Sequence, residues 1–279
     1  MKKNSIQQFF EDINITYDDL PYLYLPLLAV TGLTLAGWVT WGQSAVLWGI
    51  LILTTYIILA TQFHLYRSTQ KDLEDNQRKI QAYFSLYSSI DFRGSLPYMT
   101  GWAATPELAL LVHEEIKENK PGQILELGSG ISTIVASYSL QQNGKGSIMS
   151  LDHDEAYANK TRADLKKHGT ENFADVRFAP LISYELDGSK WDWYNLDSQP
   201  IPPKVDLLLV DGPPVKTNNH ARYPALPLLA DKLSDNAVII IHDAYRKSER
   251  EILDKWKKQF PEFSIERHRT EKGIAILRK

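Results

Sequence analysis

The 279-residue sequence has no cysteine. Disulfides, thiolate zinc sites, iron–sulfur clusters and cysteine nucleophiles are therefore excluded together. Such a composition fits a reducing compartment. A basic block is also missing. Thirty-one Lys and Arg face 34 Asp and Glu, for a net charge of −3. Nothing here could grip a phosphate backbone, so the composition argues against a nucleic-acid binder. The third absence is local. Residues 20–66 contain no Asp, Glu, Lys or Arg, whereas the rest of the chain is ordinarily polar. The sequence thus divides into a short apolar part and a long polar one.

Two apolar runs fill the uncharged stretch, Tyr22–Trp41 (20 residues) and Ser44–Tyr66 (23 residues). At about 1.5 Å per residue each can cross a hydrocarbon core of about 30 Å. Only Gly42 and Gln43 separate them, which predicts a transmembrane helical hairpin. Trp41 and Trp48 flank the turn, and Tyr22, Tyr24 and Tyr66 mark the other interface. Gly32 and Ala36, with Ala45 and Gly49, offer small faces for close helix contact. Lys2, Lys3, Arg67 and Lys71 lie at the open end, which puts both termini in the cytoplasm. A signal peptide would have a shorter apolar core after a basic stretch; here Glu11, Asp12, Asp18 and Asp19 precede the run. A buried hairpin in a soluble protein is disfavoured, because soluble helices are rarely apolar all round.

From Ser68 to Ile90 the pattern becomes amphipathic, with Leu73, Ile80, Tyr83, Tyr87 and Ile90 at helical spacing. This predicts a connector helix that docks on the next domain. Gly94, Pro97 and Gly101 mark a loop, and Thr105, Pro106 and Glu107 form a helix start. The expected divisions are an N-terminal cytoplasmic segment over 1–21, a membrane hairpin over 22–66, a connector over 67–104 and a catalytic domain over 105–279.

After Gly122 short apolar runs alternate with helical patterns. Strands are expected at Gln123–Leu127, Ser147–Leu151, Asp175–Phe178, Val205–Val210, Ala237–Ile241, Phe263–Arg267 and Gly273–Leu277. Helices are expected at Ser132–Gln142, Asp154–His168, Tyr223–Leu233 and Ser248–Phe260. Alternation of this kind means α/β architecture, a doubly wound, mostly parallel sheet covered on both faces. Only His268–Lys272 separates the last two strands, too few residues for a parallel crossover. The sheet must therefore end in an antiparallel hairpin.

Ligands of such sheets bind beyond the carboxyl ends of the strands. The first strand runs into Gly128, Ser129 and Gly130, which permit a tight turn and close approach of a ligand before a helix N-terminus. A dinucleotide fingerprint needs a third glycine where this chain has Thr133. The second strand ends at Asp152, placed to accept ribose hydroxyls, while Asp154 caps the next helix. Beyond the fourth and fifth strands lie Asp211, His242 and Asp243.

These pieces resemble the class I S-adenosylmethionine-dependent methyltransferases. The carriers are Glu126–Gly130, Ser150–Asp154, Val205–Pro214, Val238–Arg246 and the terminal hairpin. The likeness covers residues 122–279 and is strongest to small-molecule and sugar O-methyltransferases. It implies a seven-stranded sheet with the last strand reversed. It also implies Glu126 near the cofactor's amino group, Gly128, Ser129 and Gly130 against the cofactor, and Asp152 on its ribose. The acid often found after the third strand is absent; that place holds Phe178–Leu181.

For a hydroxyl acceptor, transfer needs in-line positioning and removal of a proton. Asp211, His242 and Asp243 are the catalytic candidates. Asp211 and Asp243 are also candidate ligands for a divalent ion such as Mg²⁺, although Ala244 stands where the resembling metal-dependent enzymes place a third ligand. Without a metal, His242 or Asp211 serves as general base. His220, Arg222 and Tyr223 are candidates for shaping the acceptor pocket. Trp191 and Trp193 read as core residues, with stacking on a sugar ring as the alternative.

Other activities lack their residues. No tyrosine is followed four positions later by lysine, as a short-chain dehydrogenase would require. No two glycines stand four apart, so there is no Gly-x-Ser-x-Gly elbow. The sequence thus points to a membrane-anchored, S-adenosylmethionine-dependent O-methyltransferase at the cytoplasmic face. Its expected acceptor is a sugar hydroxyl on a glycan or lipid-linked intermediate. The alternatives are a lipid or quinone acceptor, or a non-catalytic, membrane-tethered cofactor-binding scaffold.

Overall fold

A computed structural model describes residues 42–279 and six positions between Ala29 and Gly37. The expected segment 1–21 and most of the first span, Tyr22–Trp41, lie outside the described residues. The chain forms two compact units, Met1–Glu74 and Asp75–Lys279.

Helix α1 (Gln43–Ser89) runs for 47 residues. The expected second span and connector helix are therefore one element. The reason is compositional: residues 50–93 contain no glycine or proline, so nothing interrupts the hydrogen-bond ladder. Over Val46–Ser89 it is long and apolar enough to cross a membrane, and it is the one such helix among the described residues. Thr54, Thr55 and Thr61 donate their hydroxyls to carbonyls three or four residues back, which satisfies them without water. In the same unit a Cβ on Gly49 would stand 2.3 Å from Thr34 Oγ1, a contact only glycine permits.

In the second unit, Ala82 and Leu86 of α1, with Ile90 just past its end, form a buried edge at i, i+4 and i+8. This corrects the expected stripe: Leu73, Ile80 and Tyr87 are each about half exposed, at 50%, 55% and 49%. Leu86 and Ile90 pack with Val135, Tyr138 and Leu165. Helix α2 (Pro106–Asn119) starts as its sequence suggests, with Thr105 Oγ1 accepting from Leu108 N at 3.3 Å.

The strands that follow are β1 (Gln123–Leu127), β2 (Ser147–Asp152), β3 (Ala174–Phe178), β4 (Leu181–Leu186), β5 (Ser189–Tyr194), β6 (Val205–Val210), β7 (Leu233–His242), β8 (Ser264–His268) and β9 (Ile274–Arg278). Between them lie α3 (Ile131–Asn143), α4 (Glu155–His168), α5 (Ala225–Leu229) and α6 (Lys247–Gln259). Seven strands form one sheet in the order β3-β2-β1-β6-β7-β9-β8. β9 runs antiparallel to both neighbours, and the other pairings are parallel. The short His268–Lys272 connection had required that reversal. The strand order switches direction between β1 and β6, which is where ligands of open α/β sheets bind.

Two elements differ from expectation. The helix expected at Tyr223–Leu233 shrinks to α5 and one 3₁₀ turn, because Leu233 instead pairs with Val205 across a register shift and begins β7. The segment after β3 holds a separate two-stranded sheet, β4–β5. Its two-residue turn is Asp187-Gly188, both at positive φ (51° and 70°), the requirement of a type I′ hairpin. The hairpin carries Trp191 and Trp193 into the main core beside Tyr223 and Trp256. Their use is therefore packing, not sugar stacking.

Candidate active site

The turn after β1 is fixed by close backbone contacts. Gly128 has φ +101°, and a Cβ there would meet Gly212 N at 3.2 Å. Gly128 N donates to Leu151 O at 2.8 Å. Ser129 donates from both N (3.0 Å) and Oγ (2.6 Å) to Asp152 Oδ2. Asp152 Oδ1 accepts from Asp154 N at 3.0 Å. The loop and the end of β2 are thus tied together before any ligand arrives. Gly130 has nothing within 4 Å of a built Cβ, so the loop's far side is open.

Glu126 lies beneath this loop with no exposure. It accepts from the hydroxyls of Thr133 and Ser150. Burial pushes its carboxyl up to about 7, against the opposing pull of the Ser132, Ser150 and Thr133 hydroxyls. Thr133 Oγ1 also accepts from Gly130 N at 2.9 Å. The residue that breaks the dinucleotide fingerprint therefore joins the glycine turn to the buried acid.

On the other side of the switch point, Asp211 follows β6, His242 ends β7 and Asp243 follows it. Asp211 Oδ1 lies 2.8 Å from His242 Nδ1. His242 Nε2 is buried and has no hydrogen-bond partner among the described residues. Burial opposes the charge on Asp211, but His242 and Arg222 outweigh it and hold the carboxyl below its ordinary value. Asp243 adopts φ +61°, a conformation that turns its carboxylate back toward the same cluster.

Arg222 lies at the centre of this cluster, 3% exposed. Its Nη1 donates to His242 O at 2.6 Å, and its Nη2 to Asp211 O and Asp243 Oδ2, each at 2.7 Å. Nη2 is also 3.5 Å from Asp211 Oδ1. The expected partners His220 and Tyr223 turn elsewhere, His220 to Glu251 and Tyr223 to Asp187 and Gln259. Arg222 stays at the site as a buried cation. Sequence alone offered no sign of that burial, since its partners lie 11 residues upstream and 20 to 21 residues downstream, at the ends of two strands.

Ligand atoms of Asp211, His242 and Asp243 lie within 4.8 Å of one another. Donor type alone would suit a divalent ion. Charge does not, because both carboxylates already face the Arg222 guanidinium, and an added ion would have to sit against it. The residues present do not fit the metal.

A cavity of about 180 Å³ opens over the cluster, lined among others by Trp102, Asp211, Lys216, His242, Asp243 and Lys272. A larger cavity of about 370 Å³ opens at the opposite end of the sheet, beside Lys120 and Asp206, far from this chemistry.

Residues 125–244 match the model of a family described as a methyltransferase domain. This region is a methyltransferase domain. The matched stretch begins in β1 and ends just past Asp243, so it contains both halves of the site. No curated protein matches the sequence significantly. Among solved structures, cofactor-bound Rv0187 from MTB is 16% identical with a TM-score of 0.50, covering 71% of this chain and 88% of its own. The O-methyltransferase from Bacillus cereus in complex with SAH is 14% identical with a TM-score of 0.48, covering 72% and 90%. The O-methyltransferase TomG from Streptomyces achromogenes is 13% identical with a TM-score of 0.47, covering 74% and 89%. At such identities the likeness is one of fold.

Within the methyltransferase domain, Glu126, Gly128, Ser129, Gly130 and Asp152 form one cluster over β1 and β2. Asp211, His242 and Asp243 form a second over β6 and β7. Gly212 joins them, being in contact with Gly128. Motif reading named Arg222 only as a pocket-shaping candidate and missed its place among the carboxylates, and it missed the β4–β5 hairpin altogether.

Proposed function

We propose that the chain is a membrane-anchored, S-adenosylmethionine-dependent O-methyltransferase whose catalytic domain and termini face the cytoplasm. The observation that carries the reading is the Asp211–His242 pair beside the Gly128 turn, on the two sides of the sheet's switch point. The cofactor is S-adenosylmethionine. When bound, it supplies a methyl group activated on a sulfonium.

Gly128, Ser129 and Gly130 receive the cofactor over the open side of the turn. Asp152 takes its ribose, and Glu126 faces its amino group. His242 carries its Nδ1 proton toward Asp211 and keeps Nε2 free as the base. Asp211 orients the ring and stabilises the imidazolium that forms. With the cofactor bound as methyl donor, His242 Nε2 would take the proton of the acceptor hydroxyl. Arg222 fixes Asp211 and Asp243 and supplies the local positive charge, so no divalent ion is needed.

The acceptor is a sugar hydroxyl on a glycan or lipid-linked intermediate. Support for a bilayer surface comes from α1, which exposes Leu47, Ile50, Leu51, Ile58 and Leu59 and has only 6% of its apolar window buried. The first run completes a hairpin with it, supported by the Thr34–Gly49 contact.

The test is calorimetric titration of S-adenosylhomocysteine into the detergent-purified full chain, with NAD as comparison. Binding that Asp152→Ala loses is the expected result. No binding, or binding of NAD instead, would overturn the reading.

A further inference from the structure

The β4–β5 hairpin ends at Tyr194, whose side chain is fully buried. Its hydroxyl has no hydrogen-bond partner among the described residues. It lies at the switch point: a Cβ built on Gly212 would stand 2.3 Å from it, and Gly212 in turn touches Gly128. The glycine at 212 is thereby explained, since any side chain would collide with the phenol. The charges that act on the phenol belong to Asp152, Arg222, Asp211 and Glu126, which are the groups of both halves of the site. The His153 ring, next to Asp152, lies 6.3 Å from the Tyr194 ring.

A buried hydroxyl without a partner leaves its desolvation uncompensated and destabilises a fold. Phenylalanine would fill the same space without that cost. A tyrosine held there is accounted for when the missing partner belongs to a ligand. Burial also pushes the phenol well above its ordinary value, so it stays protonated and can only enter as a donor or a neutral acceptor.

We propose that Tyr194, delivered by the β4–β5 hairpin, is a cofactor-binding residue whose hydroxyl donates a hydrogen bond to S-adenosylmethionine bound over the Gly128–Gly130 turn. The assignment rests on the methyl-transfer reading above. It makes the hairpin part of the site and not a decoration of the sheet.

The experiment compares the detergent-purified full chain with its Tyr194→Phe variant in two measurements: S-adenosylhomocysteine titration, and thermal unfolding without ligand. The expected result is divergence. Affinity falls about tenfold in the variant, while its unfolding midpoint is equal to or higher than that of the parent. A merely structural tyrosine would lower the midpoint and leave affinity alone, and that result overturns the proposal. So does binding by the variant within twofold of the parent. If the parent itself fails to bind, the methyl-transfer reading falls and this assignment falls with it. If both bind alike, this assignment alone is lost.

Discussion

Glu126 and Arg222 show how single side chains set the working conditions of the site. The folded Glu126 carboxyl titrates near 7, above its ordinary value of 4.5. The folded chain therefore holds a proton that the unfolded chain has released between those pH values. Its contribution to stability is present at low pH and is lost as pH rises through about 7. A bound ammonium reverses the preference, because it favours the charged carboxylate. S-adenosylhomocysteine affinity should therefore increase between pH 6 and 8, and the slope should vanish in Glu126→Gln. Calorimetry across that range checks both; a slope that survives in the variant would assign the titration to another group.

Arg222 makes the opposite kind of prediction. Three carboxylates face it, with Glu249 the most distant at 3.9 Å. Arg222→Met removes the buried cation that Asp211 and Asp243 share, leaving Asp243 only Arg246 at 2.9 Å and Asp211 only His242 at 2.8 Å, a loss of about 3–5 kcal/mol. Urea unfolding should show the midpoint falling sharply. Chelators should leave the parent's stability and cofactor affinity unchanged, and a chelator-sensitive parent would restore the metal reading. His242→Asn is milder. It should keep cofactor affinity yet lower methyl incorporation into membrane acceptors by about 10²–10⁴-fold, the usual share of a general base.

At the scale of elements, the hairpin is the part with most to say. Its turn needs two residues at positive φ. Gly188→Val puts a β-branched side chain at φ +70°, a strain of about 1–2 kcal/mol. The expected outcome is a lower unfolding midpoint together with weaker S-adenosylhomocysteine binding, since Tyr194 is carried on the far end of β5. A loss of stability without a loss of affinity would separate the hairpin from the site. The elements also show what was legible in the sequence. β1, α4 and the α2 cap stand where alternation, Asp154 and Thr105 put them. The reversed β9 followed from a connection too short for a crossover. The hairpin was missed although its signal was present: Asp187-Gly188 lies between Leu181 and Trp193 in alternating company. The docking face of α1 was displaced for another reason. An amphipathic pattern over Ser68–Ile90 has several apolar rows, and only tertiary packing chose the row through Ala82 and Leu86. Arg222 was legible as a pocket candidate, but its burial was not, because that depends on the ends of β6 and β7 meeting it in space.

At the scale of the whole molecule, α1 bears on membrane attachment. Its 47 residues span about 70 Å, more than twice a hydrocarbon core of about 30 Å. The uncharged portion ends at Arg67, whose guanidinium lies 4.6 Å from the Phe63 ring centroid. A bilayer can therefore cover the first half of the helix, while the second half carries Lys71, Asp72, Glu74 and Asp75 outside it. Absence of cysteine makes this testable without background labelling. Single cysteines at Ser5, Gly42 and Ser264, in otherwise unaltered full-length chains, report each side of the membrane to an impermeant thiol reagent. With a cytoplasmic catalytic domain and a two-span hairpin, Gly42→Cys is modified from outside intact cells. Ser5→Cys and Ser264→Cys are modified only after lysis. If α1 crosses alone, Ser5 and Ser264 fall on opposite sides. If neither run crosses, all three sites respond only after lysis, and alkaline extraction releases the chain from membranes. The three patterns are mutually exclusive, so one labelling series decides between a hairpin, a single span and a surface-bound helix.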